Sequence, residues 1–243
     1  MRGVLGFGMN GMDSLSDTAG DSAYRRIRHD IIFGELRPGT RLRLERLKGQ
    51  YLASVSTLRE ILYRLSSEAL VVAEGQRGFE VAPISQQNFR EVAAMRELLE
   101  GHALKESFQR GEVEWEGEVV AAHHKLARME ARMLQGERGE AAVWKRYDWE
   151  FHRALISACG SSALMSAHAQ IFDQYLRYQI IAVIFRGKAA AEEHRRLLEC
   201  ALSRDHETAN AILKRHIGAC VDHTLRNGLL KPLPEEPVAA THV

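Results

Sequence analysis

Residues 54–67 read Ser54-Val55-Ser56-Thr57-Leu58-Arg59-Glu60-Ile61-Leu62-Tyr63-Arg64-Leu65-Ser66-Ser67. Val55, Leu58, Leu62 and Leu65 recur at steps of three and four, which puts them on one face of a helix. Ser54 stands at the N-cap position, where its hydroxyl can accept from an orphan amide of the first turn. Two β-prone runs follow at once, Leu70-Val71-Val72-Ala73 and Phe79-Glu80-Val81-Ala82. The turn between them, Glu74-Gly75-Gln76-Arg77-Gly78, makes them a predicted hairpin.

Upstream, residues 22–33 place Ala23, Tyr24, Ile27 and Ile31 on one face, predicting a first helix that Gly34 and Pro38-Gly39 stop. Leu42 opens a short strand, and residues 44–51 form a second short helix. Helix, helix, helix, hairpin is the order of a winged helix-turn-helix, whose third helix enters the major groove. Residues 21–85 hold 11 Lys/Arg against eight Asp/Glu, a local excess of the sign that phosphate requires. The competing reading is a small α+β module with a solvated basic face.

From Ser85 onward the pattern is helical, over residues 86–110, 113–134, 140–158, 161–185, 189–203 and 205–227. Ser85 and Asp205 stand at N-cap positions, and no proline occurs between Pro83 and Pro232. The expected fold class is therefore mainly α: an N-terminal α+β winged helix (21–85), then an all-α antiparallel bundle (86–228). Residues 1–20 and 229–243 read as flexible tails.

The 243 residues carry a net charge of +1, so DNA affinity must come from local rather than global charge. No apolar run approaches the roughly 18 residues of a membrane span. The three cysteines, Cys159, Cys200 and Cys220, are scattered and lack a CxxC, which argues against a disulfide framework and for a reducing cytoplasm.

The second half also carries Tyr147-Asp148-Trp149-Glu150-Phe151-His152. On a helix, Asp148 and His152 lie one turn apart on one face. His194 and His216 each fall in a separate helical pattern. One carboxylate and three imidazoles suit a divalent transition metal such as zinc, nickel or manganese. With 11 histidines in the chain, hydrogen-bonded core histidines are the competing reading.

Ile32-Phe33-Gly34-Glu35-Leu36-Arg37-Pro38-Gly39-Thr40-Arg41-Leu42 resembles the helix-one exit of GntR-family transcriptional regulators. The stretch 56–65 resembles their recognition helix, and Arg77-Gly78 with Val81-Ala82-Pro83-Ile84-Ser85 resembles their wing and its exit. The second half resembles the FCD ligand-binding domain of the FadR-type subfamily. That pattern is Asp-x3-His, a His about 40 to 50 residues on, then a His after 21 more. Here His194 follows His152 by 42 residues, and His216 follows His194 by 22.

The resemblance implies that Ser54, Ser56, Thr57 and Arg59 touch DNA, with Arg46 on phosphate and Arg77 and Gly78 at the wing tip. Val55 stands where the family usually has Arg, so the operator is expected to differ. It further implies metal ligation by Asp148, His152, His194 and His216. Arg96, Tyr175, Arg177 and Tyr178 are implied to line the effector cavity, Arg96 as a fork for a carboxylate. For Arg96, an i,i+4 surface pair with Glu100 is the alternative. The implied whole is a homodimer on a near-palindromic operator, released from DNA when a small organic acid fills open metal positions. The other readings are a metal-responsive regulator without organic effector and a metal-dependent hydrolase, for which Glu150 is a weak general-base candidate.

Overall fold

The structure is a computed structural model, and it describes residues 18–75, 78–136, 141–182, 186–228 and 230. Both expected tails lie almost wholly outside the described residues, as does Arg77. The described elements are α1 (Ala19–Ile32), α2 (Leu44–Tyr51), α3 (Val55–Ser67), β1 (Val71–Ala73), β2 (Phe79–Val81), α4 (Gln86–Arg110), α5 (Val113–Leu134), α6 (Ala141–Ile156), α7 (Ser162–Ala182), α8 (Lys188–Ser203) and α9 (His206–Arg226).

In α3, Ser54 Oγ accepts from Thr57 N at 3.1 Å and closes the helix start. Leu58, Leu62 and Leu65 are fully buried, each stabilising the small domain by about 1.5–3 kcal/mol. Val55, grouped with them by periodicity, is only half-buried because it sits on the first turn, beside the exposed serines. Leu52 closes α2 in the left-handed region at φ 54°, so α2 and α3 are joined by a tight turn. β1 and β2 pair antiparallel with Val71 opposite Val81. Residues 40–42 add to the free edge of β2: Leu42 N donates to Phe79 O at 2.8 Å and Val81 N to Thr40 O at 2.9 Å. The strand expected at Leu42 is thus a single bridge between Arg41 and Glu80.

α1 starts three residues before the expected Ser22, because Thr18 caps it by accepting from Asp21 N at 3.1 Å. α6 ends at Ile156 rather than residue 158, where a turn leads into Gly160 at φ +73°. The left-handed backbone there favours glycine, while Arg110 Nη1, 2.3 Å from the Cβ position, is the far end of an exposed side chain that can give way.

The helices α4–α9 enclose one core, in which α5 packs on α6 and α8, and α4 on α7 and α9. A second core fills the N-terminal unit, and it includes Phe172 and Leu176 from α7. Helix α7 therefore belongs to both packing units.

Candidate metal centre and nucleic-acid interface

Asp148 and His152 leave α6 one turn apart, His194 comes from α8 and His216 from α9. All four are buried, and one ligand atom from each lies within 4.8 Å of the others. The three imidazole centroids are 4.7 to 5.7 Å apart. Each imidazole places Nδ1 on a carboxylate of a different helix. His152 Nδ1 is 3.0 Å from Glu100 Oε2, His194 Nδ1 is 2.7 Å from Glu130 Oε1, and His216 Nδ1 is 2.9 Å from Glu193 Oε2. On a neutral imidazole, a carboxylate on Nδ1 favours the tautomer that leaves Nε2 as a lone pair, the arrangement of carboxylate–histidine–metal triads; at His216, Arg186 Nη2 also lies 3.1 Å from Nδ1.

The inward atoms match this. His152 Nε2 is buried without a hydrogen-bond partner, His194 Nε2 lies 3.3 Å from Asp148 Oδ1, and Asp148 Oδ2 faces only Lys145 Nζ at 3.5 Å. Buried polar atoms with so few partners are destabilising unless something meets them, and these converge on one point. Two borderline nitrogens, a third imidazole and one hard oxygen fit a divalent transition metal.

The electrostatics divide the three imidazoles, two neutral and one that must release a proton to ligate. Burial and the neighbouring Arg96 guanidinium hold His152 below the usual imidazole range. Burial drives His216 well below it, with His194 and His152 adding to the effect. These two are neutral, as ligands must be. Burial also opposes charge on His194, but the Asp148 and Glu130 carboxylates outweigh it and raise the imidazole to about 9. Asp148 is held well below the carboxylate range against its burial, chiefly by Lys145, whose Nζ lies 3.5 Å from Oδ2.

Arg96 is fully buried beside this cluster. Its Nε donates to Glu100 Oε1 at 2.6 Å, so the pair with Glu100 exists, but inside the bundle rather than on its surface. The guanidinium lies 4.5 Å from the Phe172 ring centroid and 4.7 Å from that of Tyr175. Arg96 Nη1 and the Tyr175 hydroxyl have no hydrogen-bond partner. Two buried donors thus stand beside the candidate ligands.

Arg177 and Tyr178 are placed elsewhere. Arg177 Nη2 donates to Ala82 O, and the Tyr178 hydroxyl donates to Asn88 Oδ1 at 2.7 Å while accepting from Ser85 N at 3.4 Å. Both hold the link between β2 and α4. The reason is helical: at about 100° per residue, Arg177 projects about 200° around α7 from Tyr175. Three partners lay beyond sequence reading, Glu100, Glu130 and Glu193. They pair with histidines 52, 64 and 23 residues away, and no local pattern marks such distances.

On the N-terminal unit, Ser54, Ser56 and Arg59 are exposed and Thr57 is half-buried. Ser54 Oγ lies 2.8 Å from both Ser56 Oγ and Thr57 Oγ1, so three hydroxyls gather at the start of α3, where a helix favours phosphate. Arg46 is exposed on α2, and Gly78 lies at the base of the hairpin turn, where its carbonyl accepts from Glu74 N at 2.9 Å.

Known proteins share this architecture. The family described as bacterial regulatory proteins, gntR family, matches residues 19–81, and the FCD domain matches residues 91–219. The chain is 35% identical over 213 residues to the uncharacterized HTH-type transcriptional regulator BphR of Paraburkholderia xenovorans, with 87% of each chain covered. It is 30% identical over 200 residues to the HTH-type transcriptional repressor GlaR of Escherichia coli, covering 80% of this chain and 90% of that one. Among solved structures, E. coli McbR/YncC superposes with a TM-score of 0.73 at 18% identity, over 87% of this chain and 99% of that one. These relatives are transcriptional regulators rather than enzymes, and McbR/YncC shares the fold. With both of its parts matched, the chain belongs to the GntR family of bacterial regulatory proteins and is a DNA-binding transcriptional regulator with a C-terminal FCD domain.

Proposed function

We propose that the protein is a repressor whose affinity for its operator is set by a small organic acid at a metal site formed by Asp148, His152, His194 and His216. The observation that carries this reading is the buried convergence of one carboxylate and three imidazoles with ligand atoms within 4.8 Å of one another, each imidazole being backed by its own glutamate. A bound divalent metal would supply a Lewis-acidic centre with open positions for an anion. Arg96 Nη1 and the Tyr175 hydroxyl supply hydrogen bonds to that anion, and the Phe172 and Tyr175 rings keep water from the guanidinium. Glu100 fixes the orientation of both Arg96 and His152. The repressor role is supported by the printed name of the relative GlaR.

The DNA-reading surface is proposed to be Ser54, Ser56, Thr57 and Arg59, with Arg46 and Gly78 at its margins. Arg77 completes this set in the family pattern. Two copies, paired through the helical domain, would read the half-sites of a near-palindrome. An acid changes DNA affinity only to the extent that it binds one arrangement of the dimer better than the other.

One observation favours a second reading, a metal-responsive regulator without organic effector. Glu100 already neutralises Arg96, so this arginine brings a hydrogen bond but little net charge to a carboxylate. A thermal-shift series on metal-analysed protein separates the two. Stabilisation by a mono- or dicarboxylate that chelation abolishes supports the acid-responsive reading. Stabilisation by metal with no response to any acid supports the second. No metal content and no metal response would remove both.

A further inference from the structure

Helix α7 joins the candidate metal centre to the DNA-reading helix through two opposite faces. On one face, His168 Nε2 lies 2.8 Å from Glu100 Oε1, and Phe172 and Tyr175 flank Arg96. On the other, Asp173 pairs with Arg28 Nη2 of α1, whose Nε donates to Glu68 Oε2 at 3.1 Å. Gln174 Nε2 donates to the Glu68 backbone carbonyl at 3.1 Å. Glu68 is the C-cap residue of α3, the helix that carries Arg59. Its carboxylate also accepts from the Tyr24 hydroxyl and pairs with Arg64 at 3.7 Å.

The docking is one-sided. Toward the C-terminal end of α7, a cleft of about 330 Å³ separates Phe33 and Glu35 of the N-terminal unit from Trp144 and Ile180 of the bundle. Close-packed interiors resist sliding, whereas a cleft leaves room for it. The polar ties at Asp173 and Gln174 therefore stand away from this cleft, in a seam that Arg177 also holds through Ala82.

We propose that Asp173 and Gln174, with Arg28 and Glu68, are the positioning residues that convert occupancy of the metal centre into a change at the recognition helix. The proposal rests on the metal-site reading above. A shift of Glu100 or Arg96 moves the inward face of α7, and the same rigid helix carries its outward face against the end of α3. The energy available is the difference in occupant affinity between the two docked arrangements. Two variants weaken these contacts: Asp173→Asn, which keeps the volume and abolishes the charge facing Arg28, and Gln174→Ala, which deletes the bond to the Glu68 carbonyl.

The test uses the full chain at pH 7.5 with zinc as the probe. Zinc affinity is measured by competition with a chromophoric chelator, and backbone hydrogen exchange is followed by mass spectrometry. In the wild type, zinc is expected to slow exchange across residues 168–182 and, on the order of fivefold, across residues 55–69. In both single variants the zinc affinity and the response of residues 168–182 are expected to persist while the response of residues 55–69 falls away. An undiminished response of residues 55–69 in the single variants would overturn the coupling and leave the metal site standing. So would zinc binding to the wild type with no response there. Failure of the wild type to bind zinc would remove the metal-site reading and the coupling with it.

Discussion

At the residue scale, the glutamates behind the imidazoles orient the candidate ligands. Glu130 accepts from a histidine that carries its own charge in the metal-free chain, and replacing the carboxylate removes both orientation and basicity. Glu130→Gln is expected to lower zinc affinity by about 10- to 100-fold with the fold retained, measured by chelator competition and circular dichroism. Wild-type affinity in that variant would show that His194 needs no carboxylate. On the other side of the molecule, Arg59 is exposed, so its loss leaves stability within about 0.5 kcal/mol. Arg59→Ala is expected to abolish sequence-selective binding in a fluorescence-anisotropy titration against a selected operator duplex. Retained selectivity would move base reading elsewhere on α3.

At the element scale, helix starts and helix faces divide the work. The Ser54 hydroxyl caps α3 and also gathers Ser56 and Thr57 beside it. Ser54→Ala is expected to destabilise the protein by about 1 kcal/mol in urea denaturation, and to weaken DNA binding by more than that loss explains. A stability change with unaltered DNA affinity would confine Ser54 to capping. Helix α7 shows how one element serves two packing units, with Tyr175 turned to the centre and Asp173 and Arg177 turned to the N-terminal unit. Asp173 is half-buried, and desolvation raises its carboxyl to about 6, against Arg28 and with help from Glu68, while His168 opposes the rise. The folded chain then holds this proton between pH 4 and 6, where the unfolded chain has released it. Wild-type stability relative to Asp173→Asn is therefore expected to rise as pH falls from 7 to 4, by on the order of 2 kcal/mol. Parallel pH profiles for the two proteins would contradict this.

At the scale of the whole molecule, the candidate ligands come from three helices that the chain contributes at widely separated points, and α4, α5 and α8 supply the carboxylates behind them. A metal at that junction would bridge α6, α8 and α9. Because it binds the folded chain alone, saturating zinc is expected to raise the melting temperature, and a chelator to reverse the rise. His194→Ala is expected to lose that response while melting cooperatively. A full zinc response in His194→Ala would place the metal elsewhere. The expected pairing of two copies on a near-palindrome belongs to this scale too. It is checked by light scattering in solution and by the length of the protected operator.

Local chemistry was enough to determine the order of elements, because helix periodicity, Ser54, Ser85 and Asp205 as caps, and the Gly-bounded hairpin act over a few residues. The four candidate ligands were legible as well, since Asp148 and His152 share a helix face by spacing alone and a family pattern supplied the other two. Tertiary packing alone decided what backs those ligands. Glu100, Glu130 and Glu193 meet their histidines across helix–helix contacts that no local pattern encodes. It also decided which way α7 presents its polar residues. Neighbours in sequence, such as Tyr175 and Arg177, point about 200° apart on a helix, and only the positions of the flanking helices determine which of them reaches the centre and which reaches the DNA-reading unit.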